Sequence, residues 1–123
     1  MKIVALIARL LLAFMFVMAG ANGLFHFGKM PPMTPVAAAF SEILISTHYM
    51  SVVACVQLIG GLLLLVNRFV PLGLTLLGPV IVNIFLFHAL MDPHGIVPGL
   101  VAAVLWAIIF WSRKQAFAAI LGA

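Results

Sequence analysis

Polar residues are so sparse along this chain that its pattern is one of long apolar runs with short polar breaks. It shows neither the alternation of a half-buried strand nor the narrow stripe of a soluble helix. From Ile3 to Phe25 the only charge is Arg9, and a helix of roughly 23 residues rises about 35 Å, enough to cross the hydrocarbon of a bilayer. Tyr49 to Val66, apolar except for Ser51 and Gln57, predicts a second helix, and Asn67-Arg68 a minimal turn. A third runs from Pro71, which suits a first turn, to Met91, with Gly78-Pro79 predicting a kink because Pro79 removes a backbone donor. Asp92-Pro93-His94-Gly95 has the side-chain order of a type I turn, and a fourth helix follows from Ile96 to Ser112, with Pro98 in its first turn. The one long connection, His26 to Thr47, holds Pro31, Pro32 and Pro35; within it Val36 to Ile45, with Ser41 and Glu42, predicts a short helix lying on the interface. No internal repeat stands out.

The fold class these runs imply is all-α and integral to a membrane. A bundle of four transmembrane helices, approximately 3–25, 49–66, 71–91 and 96–112, forms a single domain over 1–123, with the longer loop between helices one and two. A cleaved signal peptide is the rival for the first run, since Lys2 precedes an apolar stretch ending at Ala19-Gly20-Ala21. Arg9 inside that stretch and continued apolarity through Leu24 and Phe25 favour a retained helix.

Composition narrows the classes further. Of 123 residues, 67% are hydrophobic and 7% charged, against a globular norm of about half and a quarter. There are no glycine fingerprints of a Rossmann or P-loop enzyme, and the single Cys55 excludes a disulfide scaffold or zinc ribbon. The net charge of +4 comes from scattered cations, not from a basic stripe, so nucleic acid is not an expected partner. These cations are read instead as topology signals. Lys2, Arg9, Arg68, Arg113 and Lys114 fall on one face of the four-helix arrangement; Lys29, Glu42 and Asp92 fall on the other. The positive-inside rule then puts both termini in the cytoplasm, with Trp111 and Tyr49 as interfacial anchors. Small residues four apart, Ala19 and Gly23 or Gly99, Ala103 and Ala107, together with Gly60-Gly61, mark packing seams, within one subunit or between subunits.

Polar groups inside a membrane are the candidate functional residues, because leaving one unpaired costs several kcal/mol. Gln57 and Asn83 sit near the middles of helices two and three, as glue across the bundle or as ligand contacts. Arg9 is close enough to the inner boundary to snorkel. His26, His48, His88 and His94 all fall at the outer face, and Asn22–His26 and His88–Asp92 are each spaced to share a helical face, so that the neighbour fixes the tautomer. An imidazole takes up and releases protons near neutrality, and an outer pocket lined by Phe25, Phe27, Phe85 and Phe87 suits a flat quinone ring. The same imidazoles suit a metal ion or haem less well, since their spacing matches no ligand pattern. Dull readings compete: Asp92 and His94 serve their turn, and His48 caps a helix.

Over almost its whole length the chain resembles the DoxX and DoxX-like membrane proteins. The residues that carry the likeness are Arg9, Ala19-Gly20-Ala21-Asn22-Gly23, Gln57 through Leu65 followed by Asn67-Arg68, Pro71-Leu72-Gly73 and, most specifically, Gly78-Pro79 through Phe87-His88. This family often has a glutamate near the place of Gln57 and a lysine near the end of helix one; here a neutral amide stands at the first, and Lys29 comes late for the second. What the resemblance implies is a small membrane subunit of a quinone-linked redox system in the bacterial inner membrane, working with a redox-protein partner. His88, Asn83, Gln57, His26 and Asn22 are the expected ligand-binding set. The alternatives are a non-catalytic assembly or scaffold protein that binds other membrane proteins, itself included, and, further off, a small carrier or channel.

Overall fold

A computed structural model describes residues 2–26 and 32–120, all helix, turn or coil with no strand among them. The long helices are α1 (Lys2–Phe25), α3 (Tyr49–Leu65), α4 (Val70–Leu90) and α5 (Ile96–Ser112), with the shorter α2 (Pro35–Ser46) in the long connection. The boundaries follow the polar breaks. Asn67 takes the left-handed conformation (φ 56°) in the α3–α4 turn, and a 3-10 turn at Pro93–Gly95, closed by the Gly95 N–H on the Asp92 carbonyl at 3.2 Å, joins α4 to α5. Gly78-Pro79 lies inside α4, which continues through it as one helix.

α1 packs on α3 and α5, and α4 packs on the same two, so the four long helices close a ring. Glycine sets the closest approaches. A Cβ on Gly20 would stand 2.7 Å from the Ala54 carbonyl oxygen and the Leu58 nitrogen, and one on Gly61 would stand 2.8 Å from the Val17 nitrogen. The seam between α1 and α3 is therefore backbone against backbone, the geometry that replaces hydrophobic drive when the solvent is itself apolar. At Gly60 the space of a Cβ is taken instead by the Leu77 side chain of α4. Trp106 of α5 ties to α4 through its Nε1–H on the Leu74 carbonyl at 2.8 Å.

The largest fully buried side chains, Leu12, Leu64, Val70, Leu74, Leu77 and Ile109, come from all four long helices. They lie in the half of the bundle that carries Lys2, Arg9, Arg68 and Arg113, called here the basic end. The opposite half, with His26, His48, His88 and His94, is the histidine end. Large apolar side chains such as Ile3, Phe14, Val82 and Val104 stay more than half exposed along the outside of the ring.

By length and apolarity α1, α4 and the stretch Pro93–Ser112 each suffice to cross a membrane, although only 17–33% of each window is buried within the chain. α3 has 17 residues, about 25 Å, at the lower limit for crossing roughly 30 Å of hydrocarbon. It reaches a fourth span only together with α2, from which it is bent by 85°. Three helices are therefore long and apolar enough to cross, and the expected four are reached only if the bent pair counts as one span.

Arg9 does not simply extend toward water. Its Nη1 donates to the Leu64 carbonyl at 2.5 Å and the Leu65 carbonyl at 3.3 Å in the last turn of α3, where Leu64 also accepts the Asn67 N–H at 3.3 Å. A cation at a helix C-terminus also faces the negative end of its dipole.

Candidate functional site

Five residues of α4 between Val70 and Ile81 are buried, and none from Val82 to Leu90. At that level α4 and α3 part, and α2 lies across the opening. The resulting groove, about 400 Å³, is lined mainly by Phe40, Leu44, Met50, Val53, Pro79 and Phe87, with Ser41, Tyr49, Gln57 and Asn83 as its polar residues. Thr34 fixes α2 in place: its hydroxyl accepts from the Ala37 N–H and donates to the Met91 carbonyl just past α4. The signal for that cap was Thr34-Pro35 ahead of an alanine run, an N-terminal signature that reading the segment only as an interfacial helix overlooks.

Gln57 is the unusual member. It is 4% exposed, yet its Oε1 has no hydrogen-bond partner among the described residues. A buried acceptor left open costs about 1–3 kcal/mol. The expected bond across the bundle to Asn83 is not made. Asn83 Nδ2 donates instead to the Pro79 carbonyl at 2.8 Å, one turn back on its own helix, an acceptor within reach without any interhelical constraint. Gln57 therefore lines the groove and carries a buried acceptor that has no donor among the described residues.

The other expected site residues do not line this groove. His88, half-buried, turns its Nδ1 to the Ile84 carbonyl at 2.9 Å, and since a carbonyl only accepts, Nδ1 carries the proton. The tautomer is thus fixed by backbone rather than by Asp92. That residue has left the helix (φ −149°) and is buried at 6% exposure, with its N–H on the Phe87 and His88 carbonyls. Nε2 of His88 faces Gly95, where an added Cβ would sit 2.7 Å away. His26 is exposed and, like His48, adopts a positive φ at a helix end, so the two shape turns. His94 is exposed in the 3-10 turn, and Asn22, half-buried on α1, has an interaction of its own.

The imidazoles thus share an end of the molecule without converging, and among the described residues no three of His, Cys, Asp or Glu are grouped to hold a metal ion. Of the expected aromatic lining only Phe87 borders the groove. Phe25 points outward, 73% exposed, Phe85 is not among the lining residues, and Phe27 lies outside the described residues. Phe40, 5.7 Å from Phe87 between ring centroids, supplies the second ring.

A family model described as DoxX matches residues 4–89, more than half of the chain, from the first turn of α1 almost to the end of α4. No curated protein and no solved structure matches.

Proposed function

The chain belongs to the DoxX family, and from that premise we propose that it is a bacterial inner-membrane protein of four spans that binds a quinone or quinol in the groove between α2, α3 and α4 and serves a redox partner. The single observation that carries this reading is the unpartnered Oε1 of Gln57, a residue lining a mainly apolar groove. A volume of about 400 Å³ falls within the ordinary range of small-ligand sites, which runs from about 300 to 1,000 Å³. The donor set fits a flat ring with a hydroxyl: Gln57 Oε1 accepts from the quinol form, while its amide nitrogen and that of Asn83 can donate to the carbonyls of the oxidised form. Phe40 and Phe87 flank the opening with aromatic faces. A quinone supplies two-electron, two-proton chemistry when bound, but a neutral carboxamide relays no proton. This chain's residues therefore bind and orient, and electron transfer belongs to the partner. A site built on His88 and His26 is the weaker form of the reading, since neither lines the groove.

Five of the six Lys and Arg residues are at the basic end or in the turns there, which supports a cytoplasmic location for both termini. A reporter fused to the carboxyl end should then read as cytoplasmic. The scaffold reading is the less supported one, because Gly20, Gly60 and Gly61 are already used in contacts within the chain. Titration of the purified protein with a soluble quinol analogue tests the groove. Gln57→Leu should weaken binding about tenfold, the worth of one hydrogen bond, while His88→Ala leaves it unchanged. Unchanged affinity in Gln57→Leu overturns the assignment, and a loss confined to His88→Ala moves the site to the histidine end.

A further inference from the structure

A second cavity, of about 380 Å³, opens at the basic end between the start of α1 and the end of α5. Its polar lining is Lys2, Arg9, Arg113, Asn67 and Ser112, three cations with no carboxylate. The described acids are remote. Glu42 is on α2, and Asp92 follows α4, whose 21 residues run the height of the bundle, about 30 Å and well beyond the roughly 8 Å screening length in physiological salt. Both guanidiniums are held in place from one side. Arg9 Nη1 is on the α3 carbonyls, and Arg113 Nη2 donates to Asn67 Oδ1 at 2.8 Å. That leaves Nε and Nη2 of Arg9, Nε and Nη1 of Arg113, and the Lys2 ammonium without partners among the described residues.

The geometry points to a binding site for an anionic phosphate group at this cleft. Two held guanidiniums and a lysine ammonium, all with spare donors, repel one another until an anion lies between them, and a phosphate has the acceptor oxygens to engage more than one guanidinium. The cleft lies where the ends of α1, α3 and α5 meet, the level of a headgroup for helices that span a bilayer. An exposed apolar strip of α1, Ile3, Ile7, Leu10 and Phe14, leads away from it as a path for acyl chains. Ile109, Ser112 and Arg113 lie outside the matched residues 4–89, so the cleft is completed by a part of the chain that the family match does not cover.

The source of the phosphate, a phospholipid or a soluble ion, is separated by native mass spectrometry of the full chain in detergent, titrated in parallel with phosphatidylglycerol, phosphatidylcholine and inorganic phosphate. Phosphatidylglycerol should be retained over zwitterionic phosphatidylcholine, and Lys2→Gln and Arg113→Gln should each weaken it about fivefold, as expected for one interfacial cation. Arg68→Gln, at the same end but outside the cleft, should not. Displacement of the lipid by millimolar inorganic phosphate supports the site and assigns it to soluble phosphate; resistance to displacement supports it and assigns it to the headgroup. Equal retention of the two lipids, unchanged binding in both cleft variants, or an equal loss in Arg68→Gln overturns the proposal.

Discussion

The two faces of α3 are built on opposite rules. Toward α1 it is closed along its length by Gly20, Gly23 and Gly61, each so near the facing helix that a methyl group would overlap it. Toward α4 it is closed only in the basic half, where Gly60 meets Leu77 and Gly73 lies over the Gly60 carbonyl, and it opens into the groove where Met50, Val53 and Gln57 replace glycine. Hydrophobicity does not distinguish these faces, since all are apolar and lipid competes equally for each. Residue size does: helices in lipid approach where side chains are missing and part where they are present. The site is thus the place where the glycine pattern stops.

The largest effect should come from filling the closed face. Gly61→Leu or Gly20→Val puts side-chain carbons where backbone atoms of the neighbouring helix lie, and backbone has no rotamer to escape into. A loss of about 3 kcal/mol or more is expected, the upper end for overpacking, read as a fall in Tm in detergent. An unchanged Tm would mean that α1 and α3 are not in backbone contact. Arg9→Met comes next. It removes the charged donor shared by the Leu64 and Leu65 carbonyls and leaves Leu64 only the Asn67 N–H, and a loss of about 1–3 kcal/mol in the same assay is expected. If Arg9 only snorkelled to water, the change would be near zero.

These variants also mark how much the sequence could say. The helix ends were legible because polar and turn-forming residues break the apolar runs where the backbone turns: Asn67-Arg68 and Asp92–Gly95 lie within a few residues of the observed boundaries. The short helix after the prolines was legible for the same reason. The rotation of each helix about its axis was not, because with nearly every position apolar there is no polar face to orient it. Gln57 and Asn83 were rightly placed near the middle of their helices and both reach the groove, but nothing in their spacing could show that Asn83 would bond its own turn and leave Gln57 open. The histidines drew attention by chemistry, and the backbone gives two of them another task, at positive φ.

The open face makes a prediction of opposite sign to the closed one. Gln57→Met removes a buried acceptor without a partner and replaces it with an unbranched apolar group of similar length, so the ligand-free protein should gain about 1 kcal/mol. The Tm rises while quinol affinity falls. A variant that lost both would mean that Gln57 is bonded within the fold, and the groove would then have no polar anchor.

The smallest effect separates conformational from chemical histidines. His48 holds φ 63° as the residue joining α2 to α3, with no side-chain cap bond, and is exposed. A left-handed residue with a Cβ costs about 1 kcal/mol, which glycine avoids, but glycine gives back about 0.5–1 kcal/mol through its freer unfolded chain. His48→Gly should therefore leave Tm within about 0.5 kcal/mol of the parent and quinol binding unchanged. His48→Val, β-branched at the same φ, should destabilise by more, because its side chain crowds the backbone where glycine's does not. If the two substitutions were equally harmful, the imidazole itself would be needed at the histidine end, and the site would have to be sought there rather than beside α3.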